Sequence, residues 1–199
     1  MTINEAKIEL EIAGKLNEGK WISHSINVAN AARLITLETN EFDPDFAYIC
    51  GLLHDIGRRF GFSHIKHTLD GYEYLEFKHK NIAKLCLTHS FPNKNILEYQ
   101  GIFDITIEQK EKIESLLKNS EYDYYDEVIQ ICDSYGSAEG YTKMEERWVD
   151  VSIRNGINDF IIEKWKKIYE IKNRIEIRYN INIEELLGLR NCPTIASTG

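Results

Sequence analysis

Apolar residues recur along the chain at spacings of three and four, and alternating runs are few, so the pattern predicts an almost entirely helical protein with no strand. Residues 4–18 form a first helical stretch that Gly19 stops. In the next, from about Ser23 to Thr39, His24, Val28, Ala31 and Ile35 share one face, which sets a histidine on an apolar stripe. Asp43-Pro44 reads as a helix cap followed by proline in the first turn. It opens a helix through Phe46, Cys50, Leu53 and His54 that Gly57 ends, delivering His54 and Asp55 in the last turn.

A polar, glycine-containing stretch follows from Arg58 to Lys66, then helices over about Thr68 to Phe77 and Asn81 to Thr88. Ile82, Leu85, Cys86 and His89 fall on one face of the latter. Residues 92–105 read as an exposed loop, and Thr106-Ile-Glu-Gln109 fits a capping box that starts a helix to about Lys118. In a helix from about Asp126 to Ser137, Ile129 and Asp133 form an i, i+4 pair, so Asp133 occupies a position where an apolar side chain would otherwise pack. Helices near 144–154 and 158–179, a short turn at 184–188 and a polar tail complete the chain. No repeat, low-complexity tract or linker divides it, so a single domain over residues 1–199 is expected.

Composition narrows the function. The 199 residues are 43% hydrophobic, enough for a sizeable core, and carry a net charge of −8. A nucleic-acid duplex, which needs a basic face, is therefore not an expected partner. Four scattered cysteines (Cys50, Cys86, Cys132 and Cys192) without a C-x-x-C pair argue against a disulfide scaffold or a zinc ribbon. They read as reduced thiols of a cytoplasmic protein. No stretch approaches the roughly 18 apolar residues of a membrane helix, so no membrane is expected either.

Four of the six histidines (His24, His54, His67 and His89) fall at helix faces or helix starts where their rings can converge. A lone histidine on such a face is ordinarily a core residue, but Asp55 and Asp133 are both flanked by apolar neighbours. Carboxylates at interior positions are costly unless a cation neutralises them. Imidazole and carboxylate together are the ligand set of borderline divalent metals, so the constellation points to a metal site assembled from several helices.

These residues resemble the signature of the HD-domain phosphohydrolase superfamily, a histidine, an adjacent His-Asp pair and a distant aspartate, which read here as His24, His54-Asp55 and Asp133. Gly51-Leu-Leu-His-Asp-Ile-Gly-Arg58 is similar to the family's central word and Ile131-Cys-Asp-Ser134 to its closing one. The similarity spans about residues 20–137, with a C-terminal helical extension over about 138–190. The resemblance implies an all-α HD-domain helical bundle with extra C-terminal helices. Two branches of the superfamily, the diadenosine tetraphosphatases and the cyclic-di-GMP phosphodiesterases, add two histidines between the central pair and the last aspartate. His67-Thr-Leu-Asp-Gly71 and Leu87-Thr-His89-Ser90 are similar to those words. The glycine-tyrosine-proline word of the cyclic-dinucleotide branch is missing. Thirteen residues separate His54 from His67, fewer than in either branch, and His64 competes for that corner.

The resemblance implies a metal-dependent phosphohydrolase that cleaves a phosphate ester or anhydride of a small, nucleotide-like substrate. One or two divalent ions would be held by His24, His54, Asp55, His67, His89 and Asp133. Iron or manganese is preferred; zinc, cobalt, nickel and magnesium are possible. Asp55 would bridge two ions and share a catalytic role with Arg58. Arg58, Arg59 and Lys66 are the candidate phosphate-binding residues. A single-metal 5′-nucleotidase and a non-catalytic nucleotide- or partner-binding module are the alternatives, and pairing into a homodimer stays open. Tyr122, Tyr124, Tyr125, Trp148 and Trp165 are read as core aromatics, and Cys50, Cys86 and Cys132 as small core residues behind the site.

Overall fold

The computed structural model describes residues 1–189; Cys192 and the polar tail lie outside the described residues. The architecture is all-α, and among the described residues the sole β-type pairing is an isolated bridge between Gly136 and Tyr141. The helices run α1 (Ile3–Leu16), α2 (Trp21–Leu37), α3 (Pro44–Leu53), α4 (Lys66–Leu75), α5 (Lys80–Thr88), α6 (Ile107–Asn119), α7 (Tyr124–Tyr135), α8 (Met144–Asn155), α9 (Ile161–Tyr179) and α10 (Ile183–Leu186). Short 3-10 helices occupy Ile56–Phe60 and Ile96–Glu98. No helix among the described residues is long and apolar enough to cross a membrane.

The helix starts follow from their caps. Thr2 with Glu5, Thr106 with Gln109, and Asp123 with Asp126 form reciprocal capping boxes at α1, α6 and α7. The Asp43 carboxylate accepts from the Asp45 and Phe46 amides ahead of Pro44. Asn180, in the left-handed region at φ 52°, ends α9.

Packing then fixes where α3 ends. Gly51 lets α3 lie directly on α2, because a Cβ there would come within 2.4 Å of the Ala29 Cα. Gly57 does the same against α4, where a Cβ would meet the His67 carbonyl oxygen at 2.0 Å. Leu53 and Ile56, both fully buried, flank His54 and Asp55 and clamp this junction. Each such side chain contributes roughly 1.5–3 kcal/mol by leaving water. One core lies among α2, α3, α7 and the C-terminal helices, a second among α1, α2, α3 and α5, and a third joins α4, α5 and α6.

Two local expectations are corrected. The α3 helix closes at Leu53, with His54 as its cap, rather than running on to Gly57, and Asp55 leads into the 3-10 helix that includes Arg58–Phe60. Residues 92–105 are not an exposed loop throughout: Ile96, Glu98 and Tyr99 are buried. The short Ile96–Glu98 turn tucks apolar groups into the third core, and the Glu98 carboxylate accepts two hydrogen bonds from Asn93.

Candidate metal centre

Six side chains from five places in the chain meet at one end of a cavity, which all but the fully buried His54 line: His24 of α2, His54 and Asp55 at the α3 junction, His67 of α4, His89 just after α5, and Asp133 of α7. The four histidines share one orientation. Their Nδ1 atoms face backbone carbonyls: His24 that of Gly136 at 3.2 Å, His54 that of Gly51 at 2.8 Å, His89 that of Cys86 at 2.9 Å, and His67 that of His64. A carbonyl only accepts, so Nδ1 carries the proton in each ring and the neutral ring's lone pair sits on Nε2. All four Nε2 atoms point inward, the arrangement by which a carbonyl orients a metal-binding imidazole.

The acceptors crowd one another. His24 Nε2 lies 3.3 Å from His54 Nε2 and 3.0 Å from Asp133 Oδ1. His67 Nε2 lies 3.0 Å from Asp55 Oδ1, yet both atoms are buried with no hydrogen-bond partner. Lone pairs facing at such distances repel unless positive charge lies between them, so the donor set fits a cation. His24, His54 and Asp55 form one triad of ligating atoms within 4.8 Å of one another, and Asp55, His67 and His89 form a second. Asp55 belongs to both.

Electrostatics keeps the set ready to bind. Burial pulls the His54 imidazole below its ordinary value, and burial together with neighbouring His54 pulls His89 down to about 3, so both rings stay neutral. Burial would raise the Asp55 carboxyl, but the Arg58 guanidinium at 2.7 Å outweighs it and holds Asp55 well below the usual carboxylate range. Asp133 is likewise held below the usual carboxylate range against its burial, and the group stays ionised. Its side chain is 31% exposed, open to the cavity. The thiols of Cys50, Cys86 and Cys132 are pushed up by burial and Cys86 Sγ donates to the Leu53 carbonyl, which leaves them no nucleophilic character.

Three basic candidates separate. Arg58 lines the cavity, with Nε donating to Asp55 Oδ2 at 2.7 Å and Nη1 to the Ser63 carbonyl at 3.3 Å. Arg59 turns the other way: it pairs with Glu9 at 3.1 Å and lies over the Tyr74 ring at 3.9 Å. Lys66 is held by Asp70 at 2.8 Å, one turn along α4. Neither Arg59 nor Lys66, both expected at a phosphate, lines the cavity: each is committed to a carboxylate on its own side of the fold. His64 does not compete with His67. Its ring packs on Phe62, and its carbonyl instead orients the His67 ring.

The cavity, about 950 Å³, also has walls the sequence reading missed. Lys20 and Trp21 open α2 on one side, and Tyr99 stands near His67, with ring centroids 6.4 Å apart. Arg147 of α8 and Lys164 of α9 close the far side. A sequence signal existed for both. Lys164 interrupts the buried stripe Ile161, Ile168, Ile171 and Ile175, and Arg147 falls between Met144 and Trp148 on theirs.

A family model described as HD domain matches residues 21–137, more than half of the chain and the stretch that carries all six converging side chains. No curated protein and no solved structure matches the chain significantly. On that match and on this ligand set, the chain belongs to the HD domain family, within the metal-dependent phosphohydrolase superfamily.

Proposed function

We propose that the protein hydrolyses a phosphate ester or anhydride of a small, nucleotide-like substrate, with two divalent ions held side by side. The observation that carries this reading is the shared carboxylate. Asp55 completes both ligand triads, as a residue bridging two ions does. His24, His54 and Asp133 would hold one ion, His67 and His89 the other. The oxygen- and nitrogen-only donor set, without thiolate, suits iron or manganese and is compatible with zinc, cobalt, nickel or magnesium. Such ions supply Lewis acidity and bring the pKa of a coordinated water toward neutrality.

The chain's own residues do the rest. Arg58 grips Asp55 Oδ2 and so fixes Oδ1 toward His67 and His89. Its guanidinium, lining the cavity beside the centre, presents positive charge where phosphoryl oxygens would lie. The buried, neutral His54 and His89 imidazoles keep their Nε2 lone pairs for ligation at neutral pH, and the carbonyls behind the four rings prevent them from turning. Leu53 and Ile56 exclude water from the back of the site, which leaves the cavity as the approach.

The test is a screen of phosphate compounds with the protein reconstituted anaerobically in turn with iron, manganese and the other divalent ions. Release of phosphate or a nucleotide product by the wild type, abolished in Asp55→Ala with unchanged helical circular dichroism, is the expected result. Activity retained by Asp55→Ala would remove that residue from the reaction.

A further inference from the structure

Two basic side chains of the C-terminal helices face the cavity without a matching acid. For the Lys164 ammonium no hydrogen bond or ion pair is found among the described residues; its electrostatic neighbours are Glu98, already hydrogen-bonded by Asn93, and Asp133 of the centre. Burial lowers this ammonium below the ordinary lysine value. Arg147 has its Nε buried with no hydrogen-bond partner, and its Nη1 lies 3.6 Å from an Asp150 oxygen that Arg154 holds more closely, at 2.8 Å. A buried donor without a partner is costly, and an oxyanion in the cavity would satisfy the Arg147 Nε and pair with the Lys164 ammonium beside it in the lining.

Their position is fixed rather than accidental. Each directly precedes a tryptophan, and those tryptophans stack, Trp148 on Trp165, with centroids 5.3 Å apart and planes 4° from parallel. The stack sets α8 against α9, and Trp148 Nε1 donates to the Ser134 hydroxyl, next to Asp133. Of the acids on the cavity walls outside the centre, Glu139 pairs with Lys20 at 2.9 Å and Asp150 with Arg154, while Glu18 and Glu146 are exposed. A cavity of about 950 Å³ has room for a group at the centre and another against this pair.

We propose that Lys164 and Arg147 form a second anion site, which takes a phosphoryl group of the substrate beyond the one being hydrolysed and so selects compounds with linked phosphates over monoesters. This rests on the phosphohydrolase reading for the reacting group, but its test does not need turnover. Inorganic pyrophosphate and orthophosphate are titrated calorimetrically into the full chain, metal-loaded and chelator-stripped, and into Lys164→Met, Arg147→Met and Lys164→Arg, each checked by circular dichroism. Wild type should prefer pyrophosphate, and each methionine variant should shrink that preference by about tenfold, the loss of one charge-assisted hydrogen bond, with Lys164→Arg retaining more of it. A preference unchanged in both methionine variants, or none in the wild type, would overturn the proposal. If the preference depends on both cations in stripped protein while the loaded protein hydrolyses no phosphate compound, the anion site stands and the phosphohydrolase reading falls.

Discussion

His24 and His54 bring their Nε2 atoms within 3.3 Å of each other while their Nδ1 atoms donate to the carbonyls of Gly136 and Gly51. Two ring nitrogens gain nothing from such an approach by themselves. With Asp133 Oδ1 3.0 Å from the first ring, the geometry makes sense around a cation, and metal content is the first consequence to measure.

Elemental analysis of anaerobically reconstituted protein should give about two ions per chain, and His67→Ala should reduce this to about one. A chelator should lower the melting temperature, because an ion that binds only the folded state at a hundred times its Kd stabilises by about 2.7 kcal/mol. One ion in the saturated wild type, with His67→Ala harmless, would favour a single-metal centre.

Arg58 reaches the site through Asp55 as well as facing the cavity. Removing it leaves a buried carboxylate without its cation, so Arg58→Ala should cost about 2 kcal/mol in urea unfolding. It should also reduce kcat/KM for any phosphoester substrate by about tenfold or more. Unaltered stability and kinetics would mean that the 2.7 Å ion pair has no role.

Acid should destabilise the protein even without metal. His89 titrates at about 3 in the fold, against an ordinary value of 6.5. Between these values the unfolded chain takes up a proton that the folded chain refuses, so stability is lost as pH falls through that window. The depressed Asp55 and Asp133 carboxyls act in the same direction at the acid end. Urea midpoints measured with chelator at about pH 7 and about pH 4.5 should decline, and less so in His89→Gln. Equal midpoints would contradict the buried neutral ring.

Gly57→Ala tests the junction that carries the ligands. The added methyl would sit 2.0 Å from the His67 carbonyl oxygen and 2.5 Å from the Gly71 nitrogen, both backbone atoms that cannot swing aside. We expect a loss of about 3 kcal/mol or more, with release of the ion held by His67 and His89 before the other. A variant that keeps full stability and both ions would show that α4 moves freely.

Much of this was legible from residue spacing. Helical periodicity located the elements, and Asp133 among apolar neighbours betrayed the site, because a carboxylate in a core needs a reason. What escaped was decided by partners distant in sequence. Arg59 and Lys66 are equally basic, yet Glu9 and Asp70 claim them. The 92–105 segment reads as an exposed loop but buries Ile96 and Tyr99, since a single 3-10 turn was enough to face them inward. Lys164 and Arg147 were not singled out, although both break apolar stripes of their helices.

The family match ends at residue 137, one position after the carbonyl that steadies His24, whereas Arg147 and Lys164 come from beyond it. The converging ligand-type side chains and the two proposed anion-binding cations thus lie on consecutive lengths of the chain, tied together where Trp148 Nε1 donates to the Ser134 hydroxyl. Replacing the later length with that of another family member would be a route to new selectivity that leaves all six ligands untouched.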